Sequence, residues 1–376
     1  MKKLLFSMLA GMMALGAMAQ DGKFTVSGSY KGLGDSVTVY LVDANGKLLV
    51  KESRAIDTDN FNMVFDLDDA AMIYVFGLEN GELSRENSFA IPAIPGEHAV
   101  IEGNADDYTF GGSQFYADYY EASNIIEAPQ MAISDFVKEC QDRFKSGVPE
   151  EQIDKDYNEK YPALEQALAD AVLGYIKAHP DQDASAVLLA DLGSDIKHME
   201  EGAALLTERA RSSVAANLYK SNLAAAKKEQ ASQSLQEELE SGMAPDFTLM
   251  DINGNPLALS SLRGKWVIID FWGSWCSWCI KGMPAMKEYY AKYNSKLEIL
   301  GVDCNDTVEK WKNAVAKHEL PWLHVYWDKE KGDNPVELYA VRGFPTKVVV
   351  DPEGRVAKII VGEDPTFYNY LDEVLK

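Results

Sequence analysis

Two cysteines with the spacing C-x-x-C, Cys276 and Cys279, are the residues of this 376-residue chain whose types and spacing point most directly to chemistry. They follow an apolar run, residues 266–270, that is typical of a buried strand. Apolar residues recur after them at roughly helical spacing, at Met283, Met286, Tyr289 and Tyr290. A strand that delivers two such cysteines to the start of a helix is typical of a redox couple. We therefore predict that the helix start lowers the pKa of an exposed Cys276, while Cys279 faces inward.

The composition limits the classes of function that the chain can have. Its 36 Lys and Arg residues against 59 Asp and Glu residues give a net charge of -23, which disfavours binding to nucleic acid and to anionic membranes. Four cysteines are too few for a disulfide scaffold in a chain of this length. Cys140 and Cys304 are then single cysteines, either free thiols or partners in a second disulfide. The length predicts two or three domains.

The first nineteen residues have the pattern of an export signal. Lys2-Lys3 precedes a mostly apolar run, residues 4–16, and Ala17-Met18-Ala19 forms a cleavage site before Gln20. The alternative is a retained membrane anchor, but the run is shorter than the ~20 apolar residues that a membrane-spanning helix needs. We predict an exported, periplasmic protein that has no stable membrane insertion after cleavage. Export would place the cysteine pair outside the reducing cytosol.

Before the cysteine pair, the hydrophobic pattern changes from that of strands to that of helices. Residues 20–111 consist of short alternating segments between turns such as Asp43-Ala44-Asn45-Gly46, which predicts a small antiparallel β sandwich. Residues 112–242 are rich in Ala, Glu, Gln and Leu with a 3.6-residue period, which predicts a helical region with one helix that ends at His179-Pro180.

Residues 243–376 have the pattern of a mixed sheet with helices on both sides. A hairpin over residues 247–257 precedes the strand at 266–271 and the helix of the cysteine pair. The elements predicted after that helix are strand 297–302, helix 307–318, strand 323–326, a hairpin of strands 346–350 and 356–361, and a helix from about Pro365. A β-α-β order followed by β-β-α predicts a central mixed sheet.

Several short motifs in residues 244–376 resemble those of one known family. They are Ala244-Pro245-Asp246-Phe247, Asp270-Phe271-Trp272 before Trp275-Cys276-Ser277-Trp278-Cys279, and Gly343-Phe344-Pro345-Thr346. In this combination the region resembles the thioredoxin-fold domain of the TlpA-like disulfide reductases, relatives of ResA. Residues 20–111 also resemble the small β domain of unknown function that often precedes such modules. The resemblance implies an α/β thioredoxin-like domain with a mixed central sheet. Together with the all-β sandwich and the helical middle region that the residue patterns predict, this gives a multi-domain chain.

The resemblance also implies roles for individual residues. Cys276 would be the attacking thiolate and Cys279 the resolving thiol. Asp270 would be a buried acid that serves Cys279 as a base, with a pKa raised by burial; the alternative is a residue at a strand end that faces water. The predicted substrate-binding residues form an apolar rim for polypeptide, with Pro345 after a cis peptide bond and the backbone of Phe344 paired with the partner. These rim residues, for which ordinary packing is the alternative, are Trp275, Trp278, Phe344 and Pro345.

The predicted activity is thiol-disulfide exchange on proteins, in the reducing or isomerising direction. Ser277 and Trp278 supply no positive charge that would hold a thiolate as it is held in strong oxidants. The expected partners are protein disulfides or thiols and an upstream electron donor of open identity. No cofactor and no metal is predicted, because a haem motif needs His where Ile280 stands and a zinc site needs four ligands.

Two other functions remain as alternatives. A peroxiredoxin-like thiol peroxidase shares this fold and this cysteine position, but it needs Thr or Ser three residues before the cysteine, where Gly273 stands. A non-catalytic exported binding protein would use the thioredoxin fold as a scaffold, although both cysteines of the pair are present. Cys304 follows a predicted strand at the same sheet edge, either as an inert buried thiol or as a third redox participant.

Overall fold

The computed structural model describes residues 22–376 except residues 80, 241 and 365, and it contains two compact units with their boundary between Ala226 and Lys227. The predicted export signal, residues 1–19, lies outside the described residues. Within residues 22–376, with those gaps, no helix combines the length and the apolar character that crossing a bilayer requires.

The first unit begins with a β sandwich, as the sequence predicts. Its strands are β1 Lys23–Lys31, β2 Ser36–Asp43, β3 Leu48–Ala55, β4 Asn60–Asp66, β5 Ala71–Glu79, β6 Glu82–Ala93, β7 His98–Asn104 and β8 Asp107–Gly112. They form two four-stranded sheets with the strand orders β4-β1-β7-β8 and β3-β2-β5-β6. Alternate side chains of both sheets, such as Val37 and Val39 of β2 and Phe61, Met63 and Phe65 of β4, share one buried cluster.

One pairing of the sandwich differs from the predicted antiparallel arrangement. Strand β1 runs parallel to β7, from Thr25 beside His98 to Lys31 beside Asn104. Consecutive strands that are joined by a short turn must be antiparallel, as β7 and β8 are. No such turn joins β1 to β7, so the turn residues of the sequence carry no information on the direction of this pair.

Helices follow the sandwich, as predicted, and the last of them continues into the second unit. They are α1 Gln114–Lys145, α2 Glu150–Ala178, α3 Asp183–Leu188, α4 Ile196–Leu205, α5 Glu208–Arg211 and α6 Asn217–Leu239, with 3-10 turns at Leu189–Leu192 and Val214–Ala216. Helix α2 ends before His179 because the residue that precedes a proline is disfavoured in helical conformation. Apolar residues at helical spacing, such as Leu168, Val172 and Tyr175, form the core among these helices.

The second unit is built on a seven-stranded mixed sheet, which confirms the predicted α/β domain. Its elements are β9 Thr248–Asp251, β10 Pro256–Ala258, a 3-10 turn Leu259–Leu262, β11 Trp266–Trp272, α7 Ser277–Tyr293, β12 Leu297–Asp303, α8 Val308–Lys317, β13 Leu323–Tyr326, α9 Pro335–Leu338, β14 Thr346–Val350, β15 Val356–Val361 and α10 Thr366–Val374. The strand order is β10-β9-β13-β12-β11-β14-β15. Strands β11, β12 and β13 are parallel, and the outer pairs are antiparallel.

The two faces of this sheet bury different clusters. Side chains of the central strand β11 alternate between them, because successive residues of a strand point to opposite sides. Ile268 and Trp272 lie in a cluster with Met283 of α7, and we call this side the α7 face. Ile269 and Phe271 lie in the cluster on the other side, which we call the far face.

Candidate active site

The turn between β11 and α7 holds the two cysteines. Cys276 is the N-cap residue of α7, and Cys279 lies in the first helical turn. The two cysteines form a disulfide with an S–S distance of 2.01 Å. The backbone N–H of Cys279 donates to Sγ of Cys276 at 3.1 Å. The pair therefore lies at the helix N-terminus that the sequence predicts, where free N–H groups favour negative charge on sulfur.

Both cysteines are buried, so the prediction of an exposed Cys276 is wrong for this disulfide-bonded form. Each of the two residues is 5% exposed. Both belong to the apolar cluster of the α7 face, and Phe344 packs against the same cluster. Because the disulfide joins Cys276 to the inward-facing Cys279, the sulfur of Cys276 is held towards that cluster.

The turn before Cys276 is held by hydrogen bonds to the segment that follows β12. Ser274 donates twice to Asp306, from its backbone N–H to Oδ2 at 2.6 Å and from its hydroxyl to Oδ1 at 2.7 Å. The indole N–H of Trp275 donates to the carbonyl oxygen of Cys304 at 2.9 Å. A Cβ atom at Gly273 would lie 2.4 Å from that indole nitrogen, so this close approach requires glycine.

The predicted rim residues lie on two segments of the second unit. Trp275 and Trp278 are 50% and 59% exposed, and Nζ of Lys281 lies 4.7 Å from the centre of the Trp278 ring. The ring of Phe344 packs edge-on against Trp275, with 5.2 Å between ring centres. The Phe344–Pro345 peptide bond is cis, as the resemblance implies. The structure thus brings Trp275 and Phe344 into contact, while Pro345 is buried and Trp278 is an exposed neighbour of the cysteines.

Asp270 is a buried carboxyl on the α7 face of β11. It lies between Ile268 and Trp272 in the alternation of the strand, and both of these share a cluster with the cysteines. Burial raises the pKa of Asp270 to about 6; the positive charge of Lys347 opposes this shift and the negative charge of Glu363 adds to it. Asp270 is thus a buried carboxyl rather than a residue at a strand end that faces water.

The remaining cysteines do not form the second disulfide that the sequence left open. Cys140 and Cys304 are both free and buried. Cys304 belongs to the cluster of the far face, and its thiol donates to the carbonyl oxygen of Val302 at 3.5 Å. Burial raises the pKa of the Cys304 thiol well above its ordinary value, and the charge of Asp303 adds to this. Across the described part of the chain, no group of three or more His, Cys, Asp or Glu residues is arranged to hold a metal ion.

Four polar residues of this site were not predicted from the sequence. Ser274 and Asp306 fix the turn, and Lys347 and Glu363 act on the charge state of Asp270. The sequence could have indicated a role for Lys347, because it is a charged residue inside an apolar strand, as Asp270 is. The sequence gives no such indication for Glu363, since a glutamate in the turn after a strand is ordinarily solvated.

Comparison with known proteins finds relatives for the C-terminal part of the chain. The model of the AhpC/TSA family matches residues 241–359. The thiol-disulfide oxidoreductase ResA of Bacillus cereus (strain ATCC 10987 / NRS 248) is 36% identical over 145 residues, which are 38% of this chain and 81% of the relative. ResA of Bacillus cereus (strain ZK / E33L) is 37% identical over 121 residues, which are 32% of this chain and 68% of the relative.

Solved structures match over a similar share of the chain. The thioredoxin domain of a thiol-disulfide oxidoreductase from Bacteroides vulgatus is 31% identical, and the match covers 36% of this chain and 98% of that domain with a TM-score of 0.34. A thiol:disulfide interchange protein from Bacteroides sp. is 30% identical, with 36% of this chain and 90% of that chain covered and a TM-score of 0.33.

Proposed function

Because this chain belongs to the family of thiol-disulfide oxidoreductases that includes ResA, we propose that it is an exported enzyme that reduces or isomerises protein disulfides with Cys276 and Cys279. The observation that carries the proposal is the disulfide-bonded pair at the N-terminus of α7, with the buried carboxyl of Asp270 on the strand that leads to it. In this proposal residues 243–376 carry the chemistry, and the β region (20–111) and the helical region (112–242) take no part in electron transfer.

In the reducing direction, the reaction begins with the thiolate of Cys276. It attacks one sulfur of a substrate disulfide, so that a mixed disulfide forms and the second substrate sulfur leaves as a thiolate, which takes a proton from water. Cys279 then attacks Sγ of Cys276. This step forms the Cys276–Cys279 disulfide present in the structure and releases the first substrate sulfur. Two electrons have then passed to the substrate, and a dithiol donor reduces the pair by the same exchange in reverse.

Asp270 is the proposed base for the attack by Cys279. A buried thiol must lose its proton to a nearby acceptor before it can act as a nucleophile. A carboxyl with a pKa of about 6 is mostly ionised at neutral pH, and it still binds a proton more readily than an exposed carboxyl does. Oδ1 of Asp270 has no hydrogen-bond partner among the residues that the structure describes, which leaves an oxygen able to accept that proton.

The rim residues Trp275, Trp278, Phe344 and Pro345 are proposed to bind the polypeptide that carries the substrate disulfide. Two half-exposed indoles in the same helix-start segment are unusual, since a tryptophan buries a large apolar area when it packs. Aromatic rings of this kind supply much of the binding energy in protein interfaces. The backbone of Phe344, next to Pro345, is proposed to pair with an extended segment of the substrate.

The direction of electron flow is proposed from the charges near the pair. A strong oxidant stabilises its thiolate with a positive charge or with additional hydrogen bonds. Ser277 and Trp278 carry no charge, and the ammonium group of Lys281 lies over the Trp278 ring. The location is proposed from the pattern of residues 1–19, which favours export to the periplasm.

The local geometry at Gly273 does not favour the thiol peroxidase. That activity needs a hydroxyl side chain at this position. A Cβ atom there would lie 2.4 Å from the indole nitrogen of Trp275 and 2.8 Å from the carbonyl oxygen of Cys304, so Thr or Ser would displace the turn. The non-catalytic scaffold is the other alternative, and it predicts no exchange at all.

Reduction of insulin by the full chain tests the proposal. A dithiol donor is present at a concentration at which it reduces insulin only slowly on its own. We expect the wild type and Cys140→Ser to accelerate the reaction and Cys276→Ser to have no effect above the donor alone. Equal acceleration by Cys276→Ser, or none by the wild type, contradicts the proposal. Consumption of hydrogen peroxide that is much faster than insulin reduction favours the peroxidase.

A further inference from the structure

A buried ion pair lies beside Asp270 on the α7 face, and the reaction described above does not use it. Lys347 of β14 stands directly opposite Asp270 of β11 in the antiparallel register. Nζ of Lys347 is 2.6 Å from Oε1 of Glu363, and the two side chains are only 3% and 18% exposed. Buried ion pairs are costly because both charges lose their water, so a pair in this position calls for an explanation.

The carboxylate of Glu363 reaches the cysteine helix itself. A Cβ atom at Gly282 would lie 2.3 Å from Oε1 and 2.7 Å from Oε2 of Glu363, so the carboxylate occupies the space that the missing side chain leaves. Gly282 lies three residues after Cys279, and both are on the buried side of α7. Glu363 therefore brings a negative charge to the helix surface one turn below the resolving cysteine.

The other ionisable groups that the sheet strands bring close to Asp270 are uncharged near pH 6. His324 of β13 is in register with Gly301 of β12, which is the neighbour of Asp270, and burial lowers the pKa of His324 to about 3. Asp303, further along β12, has its pKa raised to about 8, mainly by burial. Burial also raises the pKa of the Cys304 thiol, which lies on the far face.

The groups that face Asp270 from the neighbouring helices are uncharged as well. On α10, burial and the charges of Glu363 and Asp270 raise the pKa of Tyr368, whose hydroxyl donates to the carbonyl oxygen of Gly282 at 3.5 Å. On α7, Cys279 is held in the disulfide. Among the described residues that face Asp270, Lys347 and Glu363 thus supply the charge near pH 6.

We propose that Lys347 and Glu363 are positioning residues that set, through their opposite charges, the pH at which Asp270 takes up and releases its proton. The consequence for Cys279 rests on the proposed function, in which Asp270 is the base. Lys347 favours the carboxylate form of Asp270 and Glu363 favours the carboxylic acid form, so each residue limits the effect of the other. Because the two charges oppose each other, Asp270 keeps the raised pKa, about 6, that burial gives it. A carboxyl with this pKa exchanges protons readily near neutral pH.

Single substitutions at the pair therefore have opposite effects. In Glu363→Gln, Lys347 is left without its counter-charge, and the titration midpoint of Asp270 falls by about one pH unit. In Lys347→Gln, the opposing negative charge remains, and the midpoint rises by about one pH unit. The double variant has lost both charges and returns close to the wild type. A residue that only maintained packing would not give shifts of opposite sign.

The test is infrared difference spectroscopy of the oxidised full chain as a function of pH. The carboxyl band of Asp270 is identified as the band that Asp270→Asn lacks, and the disulfide prevents Cys279 from titrating. Lys292→Gln is the matched control. Lys292 lies on the exposed side of α7, and its Nζ is 2.9 Å from Oδ1 of Asp372, so this substitution also breaks an ion pair. We expect no shift of the Asp270 midpoint in this control.

Gly282→Ala gives a second test if the charge variants fold poorly. Its methyl group displaces the flexible carboxylate of Glu363 without removing a charge, and alanine favours the helix. We expect the Asp270 midpoint to fall, as in Glu363→Gln but by less. Shifts of the same sign in both single variants, or an unmoved midpoint in all variants, overturn the inference.

The pH dependence of insulin reduction separates this inference from the proposed function. If the acid limb of the rate follows the spectroscopic midpoint in each variant, both are supported. If the midpoint shifts with opposite signs while the acid limb stays in place, the role of the ion pair stands and the role of Asp270 as the base fails.

Discussion

The two faces of strand β11 both bury apolar side chains, but the α7 face also buries a carboxyl, that of Asp270. On the far face, Phe271 packs among apolar residues, with its ring centre 5.8 Å from that of Tyr339. On the α7 face, the neighbouring residue Asp270 lies buried in the part of the core that also contains the cysteine pair. Burial of an apolar ring stabilises the folded state, whereas burial of a carboxylate destabilises it. Strand β11 thus contributes stability on both faces, and only its α7 face also carries a polar group, Asp270, beside the cysteine pair.

The largest expected effect is on the far face. Phe271→Ala removes a fully buried ring and leaves a cavity, so we expect the free energy of unfolding to fall by about 3–5 kcal/mol. Urea denaturation, followed by the fluorescence of the tryptophans in the second unit, measures this change. Met250→Ala, at an exposed position of the same sheet, is the control, with an expected change within about 0.5 kcal/mol. A loss below about 1 kcal/mol for Phe271→Ala would contradict the assignment of this face as a stabilising one.

On the α7 face, Asp270→Asn is expected to stabilise the fold at neutral pH and to slow the enzyme. The folded pKa, about 6, is higher than the ordinary 3.8, so the folded chain holds this proton more tightly than the unfolded chain. Stability therefore falls as the pH rises from 3.8 to about 6. Asparagine removes this loss, which is roughly 2–3 kcal/mol at pH 7. Denaturation at pH 7 and at pH 3 measures it, and the gain should vanish at the lower pH.

The same substitution should lower the rate of the second exchange step by about 100-fold, the typical contribution of a general base. Stopped-flow measurement of Cys279 attack on a preformed mixed disulfide gives this rate directly. In the wild type the rate should decline below about pH 6, where Asp270 is protonated. If Cys279 attacks equally fast in Asp270→Asn and in the wild type, Asp270 has no role in this step, and the α7 face does not differ from the far face in reactivity.

At the rim of the α7 face, Trp278→Ala is expected to raise KM for a protein disulfide about 5-fold, with little change in kcat. The indole is mostly exposed, so its removal should change the free energy of unfolding by less than about 0.5 kcal/mol. Steady-state insulin reduction measures both constants, and Val308→Ala is a control at another exposed apolar position of the same unit. Equal KM values in Trp278→Ala and the control would place substrate binding elsewhere.

The smallest effect is expected for Cys304→Ala. This thiol lies on the far face and stays protonated at neutral pH, because burial raises its pKa. We expect the insulin reduction rate to change by less than about 2-fold and the free energy of unfolding to fall by about 1 kcal/mol. A rate that falls by more than about 10-fold, measured on folded protein, would make Cys304 a redox participant and the far face reactive.

The sequence predicts those parts of the molecule that depend on local pattern. Strands β11 and β12 are apolar runs, α7 has helical spacing, and a charged residue inside such a run, Asp270, indicates a buried acid. The parallel pairing of β1 with β7 depends on residues far apart in the chain, so no local pattern reports it. The same is true of the contact between Glu363 and Gly282, which only the packing of the segment after β15 against α7 creates.

The central claim is that the chain exchanges disulfides through Cys276, with Cys279 resolving the intermediate. Cys279→Ala of the full chain, reduced and then mixed with a protein disulfide, tests it by mass spectrometry of the peptides under non-reducing conditions. We expect a stable mixed disulfide between the substrate and Cys276, and no such adduct when Cys276 is also changed to Ala. No adduct, or an adduct located at Cys140 or Cys304, would contradict it.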